Sequence, residues 1–221
     1  MNQNYPVQVQ ARLDEPLSRW LWLVKWFLAI PHYIVLFFLW IAFAVVTVIA
    51  FFAILFTARY PRPLFGFNLG VLRWSWRVGY YSYSALGTDR YPPFSLDEEP
   101  DYPATLDVAY PERLSRGLVL VKWWLLAIPH YLVVGLFVGG TYAIWHGGLI
   151  GILALIAVAF TGSYPEPVFD FVLGMNRWVL RVAAYAALMT DRYPPFRLDM
   201  GGTDPGSTLS LGSTPEPCDI R

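Results

Sequence analysis

The spacing of polar and apolar positions changes several times along the chain. Tyr5, Val7, Val9, Ala11 and Leu13 alternate with Gln8, Gln10, Arg12 and Asp14. Tyr102, Ala104, Leu106 and Val108 alternate in the same way with Thr105 and Asp107. A period of two predicts a short strand at each place. Residues 26–58 and 123–165 contain no Asp, Glu, Lys or Arg. Both runs exceed the ~20 apolar residues that a membrane-spanning helix needs. A helical period follows each run. Over 64–86, Arg73, Arg77, Tyr80, Tyr81 and Ser84 share one narrow face, and Leu69, Val71, Leu72, Trp74, Trp76 and Val78 cover the rest. Over 168–188, Arg177, Arg181 and Tyr185 repeat the pattern.

The chain is two copies of one unit. Leu23-Val24-Lys25-Trp26 returns as Leu120-Val121-Lys122-Trp123. Leu28-Ala29-Ile30-Pro31-His32-Tyr33 returns as Leu126-Ala127-Ile128-Pro129-His130-Tyr131. Phe67 to Trp74 matches Phe171 to Trp178, and Thr88-Asp89-Arg90-Tyr91-Pro92-Pro93-Phe94 returns intact from Thr190. Kept order and spacing mark an internal repeat. The units are residues 1–99 and 100–199. The acidic run 97–101 reads as the linker between them, and the Gly/Ser/Thr/Pro-rich residues 200–221 as a disordered tail.

Two topologies fit the apolar runs. Segments 17–57 and 114–161 as straight helices would be ~60–70 Å long, about twice the ~30 Å hydrocarbon core. If each unit crossed once, the 16 basic residues of the chain would divide eight against eight between the two sides of the membrane. If each unit enters and returns as a hairpin, nearly all collect on one side, as the positive-inside rule asks. The hairpin is preferred, with Ile30-Pro31-His32 as the only break in the first unit. A horizontal first helix is the alternative. The apolar run begins too late and runs too long for a signal peptide.

Composition agrees with a membrane setting. Charged residues are 14% of the chain, where a soluble domain carries about 25%, and hydrophobic residues are 56%. The 16 basic and 16 acidic residues cancel, which removes any bulk electrostatic case for nucleic acid. The single cysteine, Cys218, excludes an intramolecular disulfide and a Cys-rich metal site.

Candidate chemistry is sparse. Lys25 and Lys122 sit in apolar helix, where they either snorkel to headgroups, touch lipid phosphate or form buried ion pairs. Arg73, Arg77, Arg177 and Arg181 suit the headgroup region; the competing reading buries them against acids such as Asp89 and Asp191. His32 and His130 lie beside the helix break and are expected to hydrogen-bond backbone freed by Pro31 and Pro129. His146 is the third histidine, and a three-imidazole metal site is the weaker alternative. No phosphate-binding loop, nucleophile elbow or zinc-protease motif occurs. The sequence predicts no catalytic, cofactor or metal residue.

The repeated Leu-Val-Lys-Trp, Ile-Pro-His-Tyr, Arg-Trp and Tyr-Pro-Pro-Phe segments resemble the prokaryotic membrane family catalogued as domain of unknown function 4389. The resemblance runs over residues 5–199. It implies an integral membrane protein of bacterial type and brings no activity or site residue with it.

The resulting expectation is an all-α integral protein of the cell membrane with short β segments at the repeat starts. Each repeat is a hydrophobic hairpin followed by an amphipathic interfacial helix. The termini and linker face the cytoplasm. The expected role is a non-enzymatic scaffold, membrane-shaping element or accessory subunit. Its partners are lipids and other membrane proteins or a second copy. The alternative is a small transporter or channel built from internal repeats.

Overall fold

The computed structural model describes residues 5–14, 17–18, 20–82, 85–143 and 166–199. In chain order these form strand β1 (Val7–Ala11), helix α1 (Trp22–Thr57), helix α2 (Arg62–Tyr81), strand β2 (Ala104–Val108), helix α3 (Arg116–Val121), a π-helical turn (Lys122–Leu126), helix α4 (Ile128–Ala143) and helix α5 (Glu166–Ala186). The fold is mostly helical, with one small sheet. The expected tail and residues 144–165 of the second apolar run lie outside the described residues.

The two alternating segments are the two strands, and they pair with each other antiparallel. Val9 faces Leu106, its own counterpart in the repeat, so a pseudo-two-fold axis passes through that pair. The rest of the molecule follows this axis. β2 packs on α2, the helix of the first repeat, while β1 packs on α5, the helix of the second. Each repeat therefore lends its strand to the other. Units 1–99 and 100–199 are interlocked through the sheet.

The first apolar run is corrected from a hairpin to one unbroken helix, since α1 continues through Pro31. An interior proline removes a hydrogen-bond donor and crowds the preceding turn. The Tyr91 hydroxyl donates to the Leu28 carbonyl in that turn, at 3.1 Å. In the second repeat the chain does break, and α4 starts at Ile128, with Pro129 in its first turn. The second copy also carries one extra residue: Lys25-Trp26-Phe27-Leu28 becomes Lys122-Trp123-Trp124-Leu125-Leu126. The π turn absorbs it, which is the usual structural effect of a single insertion in a helix. Lys122 and His130 thereby return to the face held by Lys25 and His32, and all four are buried.

α2 occupies 62–81 where 64–86 was expected, and α5 occupies 166–186 against 168–188. Both helices pack against the sheet. α2 is sandwiched between α1 and β2. Its apolar side meets α1, where the Asn68 amide donates to Thr47 and Tyr60 at 3.0 and 2.9 Å. Gly70 and Gly174 sit where the closing segments cross α2 and α5. A Cβ on either would lie within 3 Å of Leu96 or Leu198.

α1 buries only one stripe: Ala29, His32, Leu36, Phe43, Ala50 and Ile54, with Lys25 at its start. Steps of three, four and seven residues place these on a single seam. The remaining surface is apolar and exposed, including Ile34, Phe37, Phe38, Ile41, Val48, Phe52 and Phe56.

Candidate functional site

Three features occur twice, related by the pseudo-two-fold. The first is a buried lysine. Lys25 Nζ lies 2.8 Å from Asp89 Oδ1 and donates to the Thr88 carbonyl at 2.7 Å. Lys122 Nζ repeats this with Asp191 at 2.8 Å and Thr190 at 3.1 Å. The same aspartates accept from the backbone ahead of the long helices, at Ser18 and Ser115, both at 2.5 Å. Each carboxylate thus ties the Thr-Asp-Arg turn to the helix entrance.

The second feature is an aromatic box around each histidine. Trp74 Nε1 donates to His32 Nδ1 and Trp178 Nε1 to His130 Nδ1, both at 3.1 Å. An accepting Nδ1 carries no proton, so the neutral ring holds its hydrogen on Nε2. Phe94 stacks on His32 with centroids 3.9 Å apart, and Phe196 on His130 at 4.3 Å. Tyr91 and Tyr193 close the boxes. The expectation that the histidines hydrogen-bond backbone freed by Pro31 and Pro129 is corrected, since their Nδ1 atoms meet tryptophan. Other side chains reach the main chain nearby: besides Tyr91, the Tyr131 hydroxyl donates to the Trp123 carbonyl at 2.6 Å and Trp124 Nε1 to the Leu120 carbonyl at 2.7 Å.

The third feature is the arginine stripe. Arg73 Nε donates to the Leu106 carbonyl at 2.9 Å, and Arg177 Nε to the Val9 carbonyl at 3.1 Å, so each arginine holds the exchanged strand. Arg73 also pairs with Asp107 at 2.9 Å and Glu98 at 3.5 Å. Arg77 donates to the carbonyls of Asp97 and Ser95, and Arg181 to those of Arg197 and Asp199. Burial pulls both Arg77 and Arg181 below the ordinary arginine range, Arg77 against the raising field of Glu99.

These contacts correct the expectation for all six basic residues placed at lipid headgroups. Lys25, Arg73, Arg77, Lys122, Arg177 and Arg181 are engaged inside the protein, five of them buried and Arg73 nearly so. Asp89 and Asp191 do pair, with the lysines and not with the arginines. The repeated arginines were visible in the sequence, but their partners are main-chain carbonyls, which no side-chain pattern reveals. No group of three or more His, Cys, Asp or Glu that could hold a metal occurs among the described residues.

Outside these clusters the dominant surface is apolar. Val24–Thr57 and Arg116–Gly135 are long and apolar enough to cross a membrane, and both are mostly unburied. The chain is thus an internally duplicated, mostly helical protein with two such helices among the described residues and a body built around exchanged strands. It belongs to the family described as domain of unknown function 4389, whose sequence model matches residues 19–95 and 120–197. Nothing among curated proteins or solved structures matches it.

Proposed function

We propose that this protein is a non-enzymatic membrane scaffold whose long helices lie within one leaflet and whose sheet-centred body stays on the cytoplasmic side. The supporting observation is the single buried seam of α1. From Ala29 to Ile54 that seam is covered by the body, a length of ~38 Å at 1.5 Å per residue. A vertical α1 would carry the covering body through the whole ~30 Å hydrocarbon core. Arg73, Glu98 and Asp107 would then enter lipid, although the two carboxylates are well exposed. An in-plane α1 immerses its apolar faces and leaves those charges in water. Helices inserted into one leaflet wedge it apart, which supports a membrane-shaping role.

Cysteine probes at Ser18 and Arg62, in a Cys218→Ser background, test the orientation. These sites flank α1. In-plane insertion labels both from the same side of intact vesicles; labelling from opposite sides would overturn the reading. Vesicle sizing after reconstitution then tests the shaping role, with smaller or tubulated vesicles expected and unchanged ones counting against it.

A second reading, a small transporter, draws on the pseudo-two-fold relation of the repeats. Saturable flux across proteoliposomes, lost on His32 and His130 substitution, would favour it.

A further inference from the structure

A cleft of about 740 Å³ opens where the end of α1 meets the start of α3. Ala58, at φ 58°, ends α1 in the left-handed conformation, and its carbonyl accepts from Leu114 N at 2.9 Å. That bond joins the two helix ends and sets Arg59, Arg113 and Arg116 around one opening. All three arginines are exposed. Among the described residues none has a carboxylate within ion-pair distance. The nearby acids are already matched: Glu112 faces Arg62 at 3.4 Å, and Asp191 faces Lys122. The cleft is therefore a concentration of positive charge without an internal counter-charge.

Its surroundings are apolar. Phe52 and Phe56 are exposed on the last turns of α1, and Leu120, Trp123 and Trp124 just beyond the start of α3. Guanidinium groups set between two lipid-facing helices lie where the headgroup of an adjacent lipid would come. Guanidinium matches phosphate oxygens in forked, charge-assisted hydrogen bonds.

The repeat supplies an independent argument. Basic residues that hold the fold occur in both copies: Lys25 and Lys122, Arg73 and Arg177, Arg77 and Arg181. The cleft arginines do not follow this rule. Arg59 corresponds to Ser163 and Arg113 to Pro16, and only Arg116 has a basic counterpart, Arg19. The equivalent set of positions therefore lacks the triad in sequence, unlike the lysine and arginine pairs that hold the fold.

We propose that Arg59, Arg113 and Arg116 bind the phosphate of an anionic membrane lipid. The triad is asymmetric in sequence: one of the two equivalent sets of positions carries it. The proposal rests on the in-plane membrane reading, and the test separates the two. The full chain is mixed with phosphatidylcholine vesicles, with and without phosphatidylglycerol. Wild type binds both and prefers the anionic ones. Arg59→Gln/Arg113→Gln/Arg116→Gln keeps binding to neutral vesicles and loses the preference, by about fivefold per arginine and on the order of a hundredfold in all. A charge-matched control, Arg12→Gln/Arg90→Gln/Arg197→Gln, retains most of it.

Equal loss in the two triple variants would reduce the effect to bulk charge and overturn the site. An undiminished preference in the cleft variant would also overturn it. Failure of wild type to bind neutral vesicles would count against membrane insertion instead. Inorganic phosphate at millimolar concentration should not displace the vesicles; displacement would reassign the cleft to a soluble phosphate. The three side chains are exposed and have no ion-pair partner among the described residues, and unchanged near-ultraviolet circular dichroism verifies folding. A single Arg113→Glu reversal gives a second reading, with at least a tenfold loss of preference expected.

Discussion

Val9 and Leu106 face each other across the two-stranded sheet, and each occupies the same position in its own repeat. One consequence is that neither repeat is complete alone. A fragment of residues 1–99 keeps α1 and α2 but loses the partner of β1 and the carbonyl that holds Arg73. It should lack a cooperative unfolding transition. Mixing it with residues 100–221 should restore the near-ultraviolet dichroism of the buried aromatics. A cooperative transition in the isolated fragment would contradict the exchange of strands.

Removing the charge of Asp89 leaves the Lys25 ammonium buried beside a carbonyl alone. Asp89→Asn is expected to lower stability by about 2–3 kcal/mol, below the full cost of breaking a buried pair because Asp89 is partly exposed. Asp191→Asn should behave alike. Chemical denaturation in mild detergent measures both; a change under 0.5 kcal/mol, the ~0.5 kcal/mol range of ordinary surface substitutions, would show that the pairs carry little.

Trp74→Phe keeps the ring beside His32 but deletes the N–H that its Nδ1 accepts. An unsatisfied buried acceptor costs roughly 1–3 kcal/mol. Trp178→Phe should cost the same. The boxes share no member, so the double variant should show the sum of the two losses.

Two glycines of α2 separate packing from helix propensity. Gly70→Ala drives a methyl against Leu96 and should destabilise by about 1–3 kcal/mol. Gly66→Ala meets nothing within 4 Å and should stabilise by about 0.5–1 kcal/mol. The opposite order in thermal melts would refute the crossing of the closing segment over Gly70.

Alkali gives a further test. Burial raises the phenols of Tyr5, Tyr60 and Tyr102 well above the ordinary tyrosine range and that of Tyr185 to about 12. Folding therefore favours their neutral forms. That stability is fully present below pH ~10, the unfolded value, and is lost as pH rises through the folded values. Phenolate absorbance should show a late group of tyrosines ionising together with loss of helical dichroism. Early, uniform ionisation of all 14 tyrosines in folded protein would contradict their burial.

Much of this architecture was legible in the sequence. Alternation located both strands, and helical period placed α2 and α5 within a few residues. The repeat itself announced the pairs Lys25 and Lys122, His32 and His130. The path through Pro31 was not legible, because the contacts that hold the helix there, such as the Tyr91 hydroxyl on the Leu28 carbonyl, come from residues distant in sequence. The fate of the arginines was hidden for a related reason. A thin basic stripe on an apolar helix reads the same whether it faces lipid phosphates or carbonyls of the protein. Only the tertiary arrangement of Ser95, Asp97 and their equivalents decides between them.

The exchanged strands also bear on ancestry. Every contact across the sheet joins a part of one copy to a part of the other, and each copy holds both kinds of part. Two separate chains of one copy each would therefore contain everything needed to build the same body as a symmetric homodimer. The acidic stretch at 97–101 then plays the part of a covalent link between two halves of such a dimer. Fusion fixes their stoichiometry and frees them to diverge, as they have at Arg59 and Ser163. A relative carrying a single copy is expected to be an obligate dimer.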